Sequence, residues 1–297
     1  RDNLTAHYKL TSDIDLGGIS NWNPIGPSFE GSFNGDNKTI KNLRIDNSTG
    51  TSVGLFSEIR NTVGGAIVEN IKFTNSFVRG QNDVGTVAGL LADSSGTNPT
   101  NIIRNVTIDN ATVKGQSEVG GLVGSAFGLI EKVGIKQLKL FTTTSSGLNA
   151  NAGGLVGDLY RGQIKESFAE GVIDNQSGRN KGGLIGMIRG SSATNSASLE
   201  NSYAHVNVTG DIRVGSLIGH LQNAYTTISN SYSTGSVHHS TPGGGAIGYY
   251  SSNTASSVYY DNQTDAPPND NVSATPATTT QLQQTQDNTT AIFSGWD

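Results

Sequence analysis

The sequence predicts an all-β protein: a single-stranded parallel β-solenoid, or β-helix, of about seven repeat coils with a cap at each end. Three observations carry that expectation. A glycine-led motif returns every 29 to 35 residues, a second motif with strand period lies inside each unit, and no unit contains a helical pattern. The coil is taken as right-handed, as in β-helices generally.

The glycine motif begins Val53-Gly-Leu-Phe, Val84-Gly-Thr-Val-Ala, Val119-Gly-Gly-Leu-Val-Gly, Ala152-Gly-Gly-Leu-Val-Gly, Lys181-Gly-Gly-Leu-Ile-Gly, Val214-Gly-Ser-Leu-Ile-Gly and Gly243-Gly-Gly-Ala-Ile-Gly. The second motif reads Asn70-Ile-Lys-Phe, Asn105-Val-Thr-Ile, Lys132-Val-Gly-Ile, Glu166-Ser-Phe-Ala, Asn201-Ser-Tyr-Ala and Asn230-Ser-Tyr-Ser. These stretches alternate as strands do, and apolar residues never recur at helical spacing over three turns. One such unit cannot bury its own apolar side. Stacking copies buries a continuous core and pairs each strand with its copy above and below. Seven rungs at ~4.8 Å make a body of roughly 34 Å. A propeller is the rival all-β reading, but its blades need ~40–45 residues.

Composition narrows the chemistry. Glycine supplies 39 of 297 residues, only 14% are charged, and the net charge is −5. That balance argues against nucleic acid as the main partner, since phosphate binding needs clustered Lys and Arg. The absence of cysteine excludes disulfides, thiolate metal sites and cysteine nucleophiles. No apolar run approaches the ~20 residues that span a bilayer, so no membrane insertion is expected. With neither initiator Met nor signal peptide, Arg1 to Asp297 is expected to be a piece of a longer chain.

The Gly-Gly-Leu-Val-Gly and Asn-Ser-Tyr-Ala copies resemble the GLUG-motif repeats of bacterial surface and secreted proteins, found in adhesins and in the non-catalytic part of streptococcal immunoglobulin A1 proteases. Leu10-Thr-Ser-Asp-Ile-Asp-Leu16, Trp22-Asn-Pro-Ile-Gly26 and the run from Phe29 to Leu43 look like the lead-in to such repeats. Ser257-Val-Tyr-Tyr-Asp261 and Phe293-Ser-Gly-Trp296 look like the closing segment. The resemblance implies a parallel β-solenoid on a bacterial surface protein, and no shared ligand. Ser57, the Gly85-Thr-Val-Ala-Gly89 copy and Lys132-Val-Gly-Ile depart from the pattern, so local irregularity is expected in those coils.

Residues 1–50 are assigned as the N-terminal cap and first coils, with Trp22, Phe29 and Phe33 as apolar closure. Residues 51–257 are the repeats, and 258–297 the C-terminal cap and loop. In that last part Gln281-Leu-Gln-Gln-Thr-Gln is expected to form a helical turn or two, with Phe293 and Trp296 returning to the last coil.

Several motifs that signal catalysis are better explained by the repeat. Gly50-Thr-Ser52-Val-Gly54 fits a serine nucleophile elbow, which needs a following helix. Gly243-Gly-Gly245-Ala-Ile-Gly248 fits a dinucleotide fingerprint, with Asp265 at a plausible distance, and needs one too. His7, His205, His220, His238 and His239 offer no His-Glu-x-x-His. Asp13 and Asp15 can contribute to a structural calcium site, although no full loop of oxygen ligands follows; no other cofactor is implied. Carboxylates paired across coils, as a glycosidase requires, are invisible in sequence and stay open. Gly35-Asp-Asn-Lys-Thr-Ile-Lys resembles a β-helix opening, and pectate-lyase-like β-helices include polysaccharide-cleaving enzymes.

Two features point to binding. Long inserts, Leu91 to Asn101 and Arg189 to Leu199, are expected to leave from one edge of the rod, where per-repeat insertions often build a binding face, although surface loops also tolerate insertion with no role in binding. Aligning the second motifs also places Phe168, Tyr203, Tyr232 and Tyr259 in one slot on successive coils, after Lys72, Thr107 and Gly134. Alternation turns Ser202 and Ala204 to one side and Tyr203 to the other; Tyr203 outward is the preferred parity and the reverse stays open. Such a column either stabilises neighbouring coils by stacking or contacts sugar rings. The preferred reading is a non-enzymatic extracellular adhesin module, on the bacterial cell surface or secreted. Its partner is a host or matrix glycan or glycoprotein, or another copy of itself. A non-binding stalk and a polysaccharide-active enzyme are the alternatives.

Overall fold

A computed structural model describes residues 3–93, 99–143, 149–174, 178–223, 225–239, 243–251, 254–264 and 274–283. Every strand pairing among the named strands is parallel, and each joins one repeat to the next. Three sheets run along the rod: a broad one of fifteen strands, one of seven and one of six. The seven-rung sheet stacks Phe56, Ala88, Val123, Val156, Ile185, Ile218 and Ile247 in register. The six-rung sheet stacks Val53, Val84, Val119, Ala152, Lys181 and Val214. The glycine motif therefore marks successive rungs of one column, as its period predicts.

The motif glycines have a specific steric job. A Cβ on Gly124 would fall on the backbone of Asp83 and Val84, and one on Gly157 on that of Glu118 and Val119. A strand of the six-rung sheet thus lies directly against the seven-rung strand of the next coil, and only hydrogen fits between them. The large apolar residues of the motif, such as Leu122 and Val123, turn inward and are fully buried. The Gly85-Thr-Val-Ala-Gly89 copy stays in register with both neighbours, with Ala88 opposite Phe56 and Val123, so the irregularity expected there is absent.

The second motif also resolves into three separate roles. Asn70, Asn105, Asn201 and Asn230 sit at kinks with φ between 46° and 55°, a left-handed conformation that asparagine tolerates well. Their amides form ladders: Asn105 Nδ2 donates to Asn70 Oδ1 at 3.0 Å, and Asn230 Nδ2 to Asn201 Oδ1 at 3.1 Å. Lys132 and Glu166 take the same kink and replace the ladder with an ion pair at 3.8 Å. The third unit keeps its register against the second over the whole strand Leu129–Thr142. Its one shift lies on the other side, between Ile135 and Leu138, against the strand Phe168–Asp174.

Serine fills the next slot, inside the rod. Ser167, Ser202 and Ser231 are buried where earlier coils place Ile71, Val106 and Val133. Ser202 Oγ accepts the Ser167 N–H at 3.1 Å and donates to its own coil's Glu200 carbonyl at 2.7 Å; Ser231 repeats the pattern one rung on. The polar group is satisfied on both sides, so burial costs little.

The lead-in contributes coils as well as closure. Strands Ser32–Asn34, Thr39–Lys41 and Arg44–Asp46 lie under the strand Ile67–Arg79. Phe29 packs on Phe56 at 4.8 Å between ring centroids, and Phe33 meets Phe56 edge-on at 5.7 Å. At the far end the chain forms one helical turn, Thr279–Leu282, with a capping box between Thr278 and Gln281. Phe293 and Trp296 lie outside the described residues. Both long inserts leave from the corner between the seven-rung and broad sheets, after strands Ala88–Leu91 and Ile185–Arg189. Residues 94–98 of the first insert lie outside the described residues.

Candidate functional site

The aromatic column forms as aligned. Gly134, Phe168, Tyr203, Tyr232 and Tyr259 are successive partners across the broad sheet, and Ser202 and Ala204 point into the core. Phe168 and Tyr203 stack with centroids 4.9 Å apart and planes at 2°; Tyr203 and Tyr232 follow at 5.2 Å and 14°. The Phe168 ring lies over Gly134, where a side chain would collide with it, and Lys136 Nζ approaches it at 5.8 Å. The facing surfaces of these rings are therefore spent on one another, which leaves edges and hydroxyls toward solvent.

Those edges line a groove of about 390 Å³ between the broad sheet and the C-terminal helical turn. Glu170, Tyr203, His205, Tyr232 and Thr234 form one wall, and Thr279 and Leu282 the other. Burial raises the phenol pKa of Tyr203, and the Glu170 carboxylate, 3.5 Å from its hydroxyl, raises it further. Tyr232 is shifted the same way for the same reasons. Both phenols thus remain protonated donors throughout the neutral range. His205 Nδ1 lies 2.7 Å from Thr234 Oγ1. Asp261 accepts from the Thr279 hydroxyl at 2.6 Å and from the Gln263 N–H at 2.9 Å, which pins the wall of the groove.

A second cluster, absent from the sequence reading, lies where the six- and seven-rung sheets touch. Burial raises the carboxyl pKa values of Asp83, Glu118 and Asp158. Asp83 accepts from the Ser125 hydroxyl, and Asp158 takes Arg189 Nη2 at 2.7 Å. Further along the same seam His220 Nδ1 lies 3.3 Å from Arg213 Nη1. Burial and that guanidinium lower the imidazole pKa to about 4. Asp83, Glu118 and Arg213 each precede a motif valine, whereas Asp158 and His220 follow the motif; Asp83 and Asp158 find their partners 42 and 31 residues on, in the next coil, and Arg213 meets His220 within its own coil.

The other candidates have structural duties. Asp13 accepts the Thr39 N–H at 2.9 Å and pairs with Lys41 at 3.2 Å. Asp15 accepts Asn42 Nδ2 and the Gly17 N–H, each at 2.8 Å. These donors lower both carboxyl pKa values. Among the described residues no three or more His, Asp or Glu side chains gather to hold a metal. Ser52 is followed by the strand Phe56–Ile59, and the Gly243 run by the strand Ile247–Tyr250, so neither helix-dependent motif has its helix. No helix among the described residues is long and apolar enough to cross a membrane.

Fold and surface together define a class: a parallel β-solenoid repeat module whose interior serves stacking and whose exterior columns carry its chemical variety. The GLUG motif itself matches residues 210–237, one full coil, so the chain carries that motif. Over 87 residues it is 40% identical to halomucin of Haloquadratum walsbyi (strain DSM 16790 / HBSQ001), a match that takes in 25% of this chain and 1% of halomucin. The chain therefore spans a very small part of that relative. The fold is similar to the crystal structure of a Bacteroides ovatus protein provisionally assigned as an immunoglobulin A1 protease. The TM-score is 0.58 at 20% identity, over 85% of this chain and 78% of that one. At that identity the likeness is one of fold.

Proposed function

We propose that the chain is an adhesive module of a cell-surface or secreted protein, and that it binds host or matrix glycans in the groove beside Tyr203 and Tyr232. The observation that carries this reading is the composition of that groove. It sets two protonated phenol edges, the Glu170 carboxylate, His205 and the Thr234 hydroxyl around about 390 Å³ of open space. Alternating donors and acceptors beside apolar ring edges is the chemistry that sugar hydroxyls and C–H faces require. A single groove of this kind binds weakly. Presented many times on a surface, it gains avidity without new contacts.

A stalk that spaces another domain from the surface is the second reading, favoured by the mutual stacking of Phe168, Tyr203 and Tyr232. A glycan array separates the two. Binding by the natural protein, lost about tenfold or more in Tyr203→Phe and Glu170→Gln variants of unchanged melting temperature, supports the groove. An array without a hit, or binding indifferent to both substitutions, supports the stalk.

A further inference from the structure

The early rungs of the broad sheet carry a different surface. Arg44, Phe77, Thr112 and Lys139 form one outward column, and Asp46, Arg79, Lys114 and Phe141 the next. Cations and rings alternate across them. The Arg44 guanidinium sits 4.4 Å over Phe77, and Lys114 Nζ lies 6.0 Å from Phe77 and 5.1 Å from Phe141. Arg44 and Arg79 share one carboxylate, that of Asp46, at 2.7 and 3.5 Å. Among the described residues Lys72, Lys114, Lys136 and Lys139 have no carboxylate within 4.0 Å, whereas Lys132 and Lys165 on the same sheet do. Asp46 and Asp109, the rung neighbour of Lys136, are the carboxylates among these columns, so a chain of net charge −5 presents on one face a band in which cations outnumber carboxylates. The band ends in a recess of about 220 Å³ at the next corner, lined by Arg79, Lys114, Gln116, Thr143 and Ser48.

We propose that this face binds an anionic polysaccharide, sulfated or rich in uronic acid, laid along the rod with one acidic group in the Arg79–Lys114 recess. Three features favour that occupant. Arg79 and Lys114 lie on adjacent rungs, ~4.8 Å apart, and Arg44 and Lys139 three rungs apart in the neighbouring column, so the cations fall at whole multiples of the rung spacing, which suits a regular polymer laid along the axis. Lys72, Lys136 and Lys139 are exposed and Lys114 is half-buried at the recess, so their counterions can be exchanged for the ligand's charges. The ring faces of Phe77 and Phe141 are already covered by cations, so they offer no platform for stacked bases and disfavour a nucleic acid. This surface is separate from the tyrosine groove, and the inference stands or falls apart from it.

Heparin and polygalacturonate are suitable probes, with neutral dextran and duplex DNA for comparison. The natural protein is expected to bind heparin at about 50 mM salt and to release it steeply as salt rises, by counterion release. A Lys114→Gln/Lys136→Gln/Lys139→Gln variant is expected to bind at least tenfold more weakly, with a salt slope lower by roughly one per lysine removed. Lys165→Gln, which removes a lysine already paired with Glu200, should leave heparin binding unchanged. Single Lys114→Gln and Lys139→Gln variants give the same ordering if the triple variant melts early. The proposal is overturned by failure of the natural protein to bind either polyanion, by indifference to the lysine substitutions, or by equal binding to duplex DNA.

Discussion

Lys181 occupies a position that the repeat reserves for an aliphatic side chain, and its removal makes a quantitative test of the fold. Its column neighbours are Val53, Val84, Val119, Ala152 and Val214, and like them it is fully buried. Nζ donates to Thr142 Oγ1 at 2.7 Å. Burial lowers the ammonium pKa from 10.5 to about 7. A displacement of that size corresponds to about 5 kcal/mol between the two protonation states. The sign follows from proton counting. Between pH 7 and 10.5 the unfolded chain holds the proton and the folded one has released it, so stability rises with pH through that window and levels off above it. Below pH 7 both states are protonated and the slope vanishes. Lys181→Met removes the cost of burying the group at the expense of one hydrogen bond to Thr142. At pH 7 it should stabilise by about 1–4 kcal/mol, as replacing buried charge with apolar volume often does. Denaturant midpoints measured at pH 6, 7, 8.5 and 10 read both effects. The advantage of the variant should be largest at pH 6 to 7 and shrink by several kcal/mol toward pH 10. Parallel pH profiles for the two proteins would refute the claim that this ammonium is buried inside the coil.

Two other substitutions, and a third as control, test the ladders and the bend. Ser202→Ala leaves the buried Ser167 N–H without its acceptor and should cost about 1–3 kcal/mol, read from the shift in denaturation midpoint; a change under about 0.5 kcal/mol would mean that the serine column is incidental. Gly124→Ala places a methyl on the backbone of Asp83 and Val84 and should cost about 3 kcal/mol or more. Gly18→Ala, with nothing within 4 Å of the added carbon, should leave the melting temperature unchanged; equal effects at the two sites would contradict the steric account of the motif.

The parts of this molecule that repeat were legible, and the parts that arise from pairing different coils were not. The glycine period located every rung because each copy meets the same backbone obstacle. Strand alternation put Tyr203 on the face opposite Ser202 and Ala204 but did not say which face is inside; the burial of Ser202 and Ala204 settles it, because a satisfied serine ladder fits the core. The irregularity expected at Gly85 is absent because Thr86, Val87 and Ala88 still supply buried side chains of acceptable size. Lys132 looked like a lost asparagine, and only its neighbour Glu166 one coil away shows it to be half of a substitute pair. Asp83, Glu118 and Asp158 sit far apart in the chain, and inserts of unequal length hide that Asp83 meets Ser125 and that Glu118 lies against the strand bearing Asp158. Lys181 stood in plain view inside a motif copy. Its burial follows from register, which the sequence marks only through the glycines beside it.

Asparagine at the kink, serine in the ladder and glycine at the bend all answer needs of stacking, so the motif reports architecture and is silent about a partner. The outward columns are what the motif leaves free to vary, and the proposed binding surfaces both lie there. One such column changes character along the rod: it runs Lys72, Thr107, Gly134, then Phe168, Tyr203, Tyr232 and Tyr259. Lysines outside any ion pair cluster around its early rungs and phenol edges mark its later ones. Because every rung is hydrogen-bonded to the next, the two regions hold a fixed separation. A long polymer lying parallel to the axis would meet charge first and ring edges after. On this geometry a glycan with acidic groups at one end and bare sugars at the other should bind more tightly than either half alone, by the effective concentration that a rigid tether imposes.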